Sequence, residues 1–328
     1  MIVFTEAAVA AVRPGEIHLG GRRVAVRAIP YGGEAGPPAF RFDPLERRFV
    51  ALREDAAVAA GPADAGAWRE ALRAAPPGPV AIGPCSPSES VYGAYRAAAD
   101  GAVAAGRGVY LIDPEVEALP AGADGSAVAV VSWRPRPIPT ALAAAAAGGL
   151  NAGLALPAIP GWTAEEAVLE PILDEAVGGG ARFVCVLHPA WDGLARRLAV
   201  DARASVNPGA AESFFERIHH AGSEEAVAGA LAAVRAACAR RGLPAMPPRP
   251  RGRAEPEANA RAASLLEERA LSAEADEHRA AMLHAAVRWI DESGRDLAHV
   301  LAEGNLRKVF PFGDVLASEV GAAISGTR

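Results

Sequence analysis

The chain has 328 residues, 51% of them hydrophobic, and a formal net charge of -6. That length accommodates one large α/β domain beside a small one, because a single core stops growing at roughly 250 to 300 residues. The hydrophobic fraction excludes a disordered chain, and the acidic balance supplies no overall positive field to hold a phosphate backbone.

The opening stretch MIVFTEAAVAAVRPGE places Glu6 ahead of a short apolar run with no basic leader, so no signal peptide is expected. Short strands are expected at Arg22 to Arg27 and Arg48 to Leu52, on either side of a Gly- and Pro-rich loop from Tyr31 to Phe42. Beyond them, apolar β-branched runs alternate with Ala-rich stretches of helical character. The strands fall at Pro79 to Gly83, Gly108 to Ile112, Ala127 to Val131, Ala152 to Leu156 and Arg182 to Leu187. The helices fall at Ser90 to Ala105, Pro139 to Gly148 and Ala164 to Val177, the last with Thr163 as expected N-cap and Glu166 completing a capping box. This alternation predicts an α/β fold of parallel strands joined by crossover helices.

After Cys238 the sequence ARRGLPAMPPRPRGRAEPE is too dense in proline and arginine for regular structure, and it predicts a linker. The expected division is an α/β body over 1–245, a linker over 246–256 and an all-α C-terminal domain over 257–328. No apolar run is long enough to span a bilayer, since even Pro137 to Pro160 is broken by prolines. Cys85, Cys185 and Cys238 are widely spaced and fit no CxxC pattern, so they are expected as reduced thiols of a cytoplasmic protein.

From about residue 26 to 250 the order of signals resembles the radical S-adenosylmethionine (SAM) family, in its branch similar to spore photoproduct lyase. That branch has a strand leading into an N-P-Y-x-G-C-x-x-x-C-x-x-C loop, and the matching stretch here runs from Ile29-Pro30-Tyr31-Gly32-Gly33 to Phe42, with Glu34, Pro38 and Arg41 at the three cysteine positions. Leu156-Pro157-Ala158-Ile159-Pro160-Gly161-Trp162-Thr163 is similar to the segment that lies beside the SAM adenosyl group in that branch. The resemblance implies a partial (β/α) barrel. It also implies that radical chemistry is lost, because a [4Fe–4S] centre needs three thiolates and a proline and an arginine offer none. If the loop keeps its ancestral path, Glu34 and Arg41 are expected to form an ion pair where the cluster once sat.

The segment from about Asn259 to Ile324 resembles the helical domain of family X DNA polymerases, which contains a helix-hairpin-helix. Arg279 to Ile290 matches a helix, Leu301 to Leu306 its following turn, and Val309 to Ala317 the hairpin. In the hairpin Pro311 stands at the first glycine and Asp314 where a phosphate would approach, while Gly313 is kept, and Arg307 and Lys308 lie one turn away.

Candidate chemistry follows from position. Residues just past strand ends face the mouth of such a fold, which singles out Asp113 and His188 as acid/base candidates, and Trp133, Arg134 and Arg136 as an aromatic and cationic group for an anionic or planar ligand. Pro157, Ile159 and Gly161 are the candidates for contact with a retained, unreacting SAM. His219 and His220 are adjacent, about 100° apart on a helix, and cannot share a metal, so no metal site is expected. Four readings stay open: a non-catalytic binding or scaffold protein with a protein partner or self-association, a cluster-independent enzyme at the barrel mouth, a SAM-binding protein without turnover, and a nucleic-acid binder acting through the C-terminal module.

Overall fold

The computed structural model describes residues 2–3, 15–19, 22–26, 40–43, 48–51, 65–73, 78–82, 89–112, 114, 116, 119, 125–133, 140–187, 224–272 and 277–325. Strands β1 (Ile2–Val3), β6 (Val80–Ile82), β7 (Val109–Ile112), β8 (Ala127–Ser132), β9 (Asn151–Pro157) and β10 (Val184–Leu187) form one sheet in that order. Every neighbouring pair in it is parallel. Two antiparallel hairpins stand outside it, β2 (Gly15–Leu19) with β3 (Arg22–Val26), and β4 (Phe40–Asp43) with β5 (Arg48–Ala51). Each strand expected from the sequence forms, but the two upstream ones belong to these hairpins, and β4 begins inside the stretch expected as a loop.

Consecutive strand order has a direct consequence. With right-handed crossovers and no reversal of direction, successive helices fall on one face of the sheet, and the order contains no topological switch point. The packing agrees. Helices α1 (Ala65–Arg73), α2 (Glu89–Ala104), α3 (Thr140–Ala147), α4 (Glu166–Gly178) and α5 (Glu224–Arg240) share one apolar cluster with alternate strand residues Val109, Leu111, Ala127, Ala129, Val131, Leu154, Leu156, Val184 and Val186. Alanine dominates α2, α3 and α5, and its small side chain brings them close to the sheet.

The intervening residues point the other way and are equally buried: Tyr110, Ile112, Val128, Val130, Ala155 and Cys185 are all 5% exposed or less. Both faces of the sheet are therefore dry, which is why the strands read as unbroken apolar runs. On this second face the Phe183 ring lies over Gly153, where an added Cβ would come within 2.5 Å of it. The hairpin β2–β3 approaches both edges of the sheet, β2 beside β10 and β3 beside β1.

The Pro- and Arg-rich stretch after α5 carries no helix or strand from 241 to 256, as its composition implied, and it is packed closely. Val184 and Val186 N–H donate to Pro244 O and Ala245 O at 2.8 and 3.3 Å, so it covers the free edge of β10. Further on, Ala254 N–H donates to Gly106 O at 2.8 Å, and Gly252 lies against Gly108 so tightly that neither position has room for a Cβ.

A second apolar cluster belongs to α6 (Glu257–Ser272), α7 (Glu277–Ser293), α8 (Leu297–Ala302), α9 (Leu306–Val309) and α10 (Asp314–Ser325), centred on Leu266, Ile290, Leu297, Phe310 and Val320. Asn259, 2% exposed, ties it together by donating to Arg295 O at 2.7 Å and accepting from Leu297 N–H at 3.0 Å. Among the described residues, no helix is long and apolar enough to cross a membrane.

Candidate functional site

The C-terminal ends of the parallel strands lie along one edge, where ligands bind in wound α/β sheets. Tyr95 of α2 places its hydroxyl 3.2 Å from both Ile82 O and Ile112 O, sharing one proton between the ends of β6 and β7. Trp133, just past β8, donates its N–H to Ala155 O at 2.8 Å. Its ring continues the helix-side row of β8 and meets Trp162 edge to face, centroids 5.3 Å apart at 75°. At 8% exposure Trp133 is a core residue of the helix side, with little surface left for a ligand.

The turn after β9 is built from buried residues, Pro157 to Pro160, and from Trp162 and Thr163. Ile159 N–H donates to Thr163 Oγ1 at 2.8 Å, and the Thr163 hydroxyl donates to Pro157 O. This overturns the expected capping box. Glu165 is the N-cap of α4 and makes no side-chain cap bond, while the Thr163 hydroxyl is spent on two buried backbone groups. Gly161 alone is half-buried, at φ +72° on the apex of the turn.

The other mouth candidates, Asp113, His188, Arg134 and Arg136, lie outside the described residues, as do Glu34 and Pro38 and with them the expected Glu34–Arg41 pair. Arg41 sits in β4 opposite Val50 of β5. Cys85 also lies outside the described residues, and the other two cysteines are separated by the sheet itself. Cys185 is on its second face, whereas Cys238 of α5 is in the helix-side cluster, where burial pushes its thiol up to about 11. Among the described residues no group of three or more His, Cys, Asp or Glu could hold a metal ion.

In the C-terminal helices, α9 is followed by a turn at Pro311–Phe312, Gly313 at φ +87° and the first turn of α10, which carries Asp314. Arg307 and Lys308 are exposed on α9, and Arg307 reaches back to Ser318 Oγ at 3.2 Å. An open groove of about 390 Å³ beside them is lined by Leu301, Leu306, Ala317 and Gly321.

Among the described residues, the densest charged site is not visible in the sequence and lies at the opposite, N-terminal edge of the sheet. Arg249, whose side chain is 3% exposed, contacts Glu255 Oε1 at 2.6 Å, Glu267 Oε1 at 3.2 Å, and Asp291. Arg107 lies beside it, donating to Leu72 O at 3.0 Å and to Gly78 O. Burial pulls Arg107 down to about 10 against the attraction of Glu255 and Asp291. Arg249, although burial opposes its charge, is held well above the ordinary guanidinium value by three carboxylates. In the sequence Arg249 stands among prolines and other arginines and reads as a solvated cation; nothing local marks it as buried. Compared with known protein families, with curated proteins and with solved structures, the chain matches none.

Proposed function

We propose that this chain is a non-catalytic binding or scaffold protein built on a radical-SAM-like partial barrel. The observation that carries the reading is the placement of its thiols. Cys185 and Cys238 face opposite sides of the sheet, and Glu34, Pro38 and Arg41 occupy the positions where the family has its cluster cysteines, so three thiolates have no common point of approach. The consecutive six-stranded order, the helices on one face and the apolar second face support the barrel, with the hairpin β2–β3 spanning the gap between β1 and β10. The turn at 157–163 supports the loss of cofactor work: its tryptophan and its hydroxyl hold the protein together.

The test is anaerobic reconstitution of the full chain with iron and sulfide. The expected result is no stoichiometric, oxygen-sensitive chromophore; its appearance overturns the proposal. Titration calorimetry with SAM separates the binding variant of this reading, in which heat of binding is abolished by Gly161→Trp.

A second reading, nucleic-acid binding through α9 and α10, is favoured by the left-handed Gly313 at the hairpin and the two exposed cations before it. Anisotropy of a labelled duplex that is unchanged by protein at low salt, or unaffected by Arg307→Ala with Lys308→Ala, removes it.

A further inference from the structure

The C-terminal helices leave one face of α10 exposed. Val315, in its first turn, is 77% exposed, the most exposed large hydrophobic side chain among the described residues. Seven residues on, Ala322 stands on the same face, at the groove that lies between α8, α9 and α10. We propose that this face joins two copies of the chain, with α10 packed antiparallel on the partner's α10 and each Val315 seated at the partner's groove.

The patch is complementary to itself in shape. Leu301 and Leu306 wall the groove, and a Cβ added at Gly321 would lie 3.4 Å from Leu301 Cδ1, so a single methyl group would narrow it. After Val315 the exposed positions of α10 are Ser318, Ala322 and Ser325, all small enough for a second helix to approach closely. Place a twofold axis beside Ser318 and Glu319, and Val315 falls opposite the partner's Ala322, each about 5 Å along the helix from the axis. One patch then serves both copies, and the contact closes at two.

The charges select the occupant. Arg307 at the rim of the groove, Lys308 beside it and Asp314 just ahead of Val315 are all exposed and, among the described residues, have no ion-pair partner. Arg307 donates to the neutral Ser318 Oγ at 3.2 Å. The other acids nearby are engaged, Glu319 with Arg269 and Glu303 with His299. Asp314 and Ser318, four residues apart, share one side of α10, and the antiparallel twofold keeps that side in common. The partner's Asp314 therefore arrives beside Arg307, at the mouth of the groove. Charges left unpaired within one copy are paired across two. A phosphate backbone would gain the two cations but would meet a carboxylate and a bare valine, so a second copy fits this face better than a nucleic acid. None of these residues belongs to the turn at 157–163 or to the degenerate loop, so dimerisation stands or falls apart from the fate of the cofactor.

The experiment is sedimentation equilibrium of the full chain, with helix content followed by circular dichroism. Wild type is expected to dimerise reversibly. Val315→Asp is expected to raise the dissociation constant about tenfold or more, since each dimer loses two buried valines. Asp314→Arg and Arg307→Asp are each expected to weaken the dimer, and the double variant, with the charges exchanged, to bind more tightly than either single. All three positions are exposed, so the substitutions leave the apolar cluster of these helices intact. A chain monomeric up to about 1 mM, an association that Val315→Asp leaves unchanged, or a double variant no tighter than the singles overturns the proposal. Capture of a labelled duplex by a chain that never dimerises also overturns it, and gives this face to nucleic acid.

Discussion

Replacing Thr163 with Val keeps the shape of the side chain and removes the hydroxyl that fixes the turn after β9. Thr163 is fully buried, and its oxygen serves Ile159 N–H and Pro157 O. Losing two hydrogen bonds costs about 1 kcal/mol each, and a stranded buried group would add about 1 to 3 kcal/mol. Here the second penalty is partial, since Ile159 N–H also lies 3.1 Å from Pro157 O and each group keeps the other as partner. The expected destabilisation is therefore about 2 kcal/mol, which lowers the melting temperature by roughly 3 °C. Thr163→Ser keeps the hydroxyl and drops one methyl, for about 1 kcal/mol. Guanidinium titrations of the three proteins, fitted with a common slope, measure the ordering. Thr163→Val within about 0.5 kcal/mol of wild type, or less damaging than Thr163→Ser, would refute the assignment of the hydroxyl as the anchor of this turn.

Arg249→Met leaves the carboxyls of Glu255, Glu267 and Asp291 uncompensated and should cost about 3 to 5 kcal/mol, read as a fall in the denaturation midpoint. Gly153→Ala forces a Cβ against the Phe183 ring and carbonyl, 2.5 Å away, and should cost about 1 to 3 kcal/mol, with little recovered by Phe183→Leu because the carbonyl stays. Trp162→Ala should cost about 3 to 5 kcal/mol and remove the near-ultraviolet dichroism of its pair with Trp133. Cys238, its thiol at about 11, should resist thiol reagents at pH 8 until the protein unfolds; because its folded value is raised, its contribution to stability is lost as pH climbs from the ordinary thiol range toward 11.

The α/β body was readable because its strands are buried on both sides. A strand such as Val109–Ile112, with all four residues buried, leaves an apolar run that local sequence shows directly. What failed was anything set by competition between partners. Thr163 and Glu166 have the spacing of a capping box, yet the hydroxyl went to Pro157 and Ile159, and which backbone group wins depends on burial that the spacing does not encode. Trp133 follows a strand, and position alone does not say to which side the pleat carries it; here it is the helix side. Arg22 to Arg27 reads as a strand from the sequence, but its partner, the neighbouring antiparallel β2, depends on pairing and not on composition. Arg107 is hidden for the same reason, since its carboxylates come from segments distant in the chain, and for Arg249 the neighbouring Glu255 alone does not reveal that Glu267 and Asp291 converge on it.

The same separation in sequence imposes an order on synthesis. Arg107 leaves the ribosome about 150 residues before Glu255 and about 180 before Asp291, the carboxylates that offset the cost of burying its charge. At about 5 to 20 residues per second, the nascent sheet waits roughly 7 to 30 seconds with that guanidinium uncompensated and with Gly108 not yet covered by Gly252. The body is thus completed from its far end: an early-translated core whose base closes only when the last third of the chain emerges. Stalled nascent chains of graded length should show the Ala254 to Gly106 bond, and protease resistance at the sheet base, appearing together once Asp291 has cleared the exit tunnel.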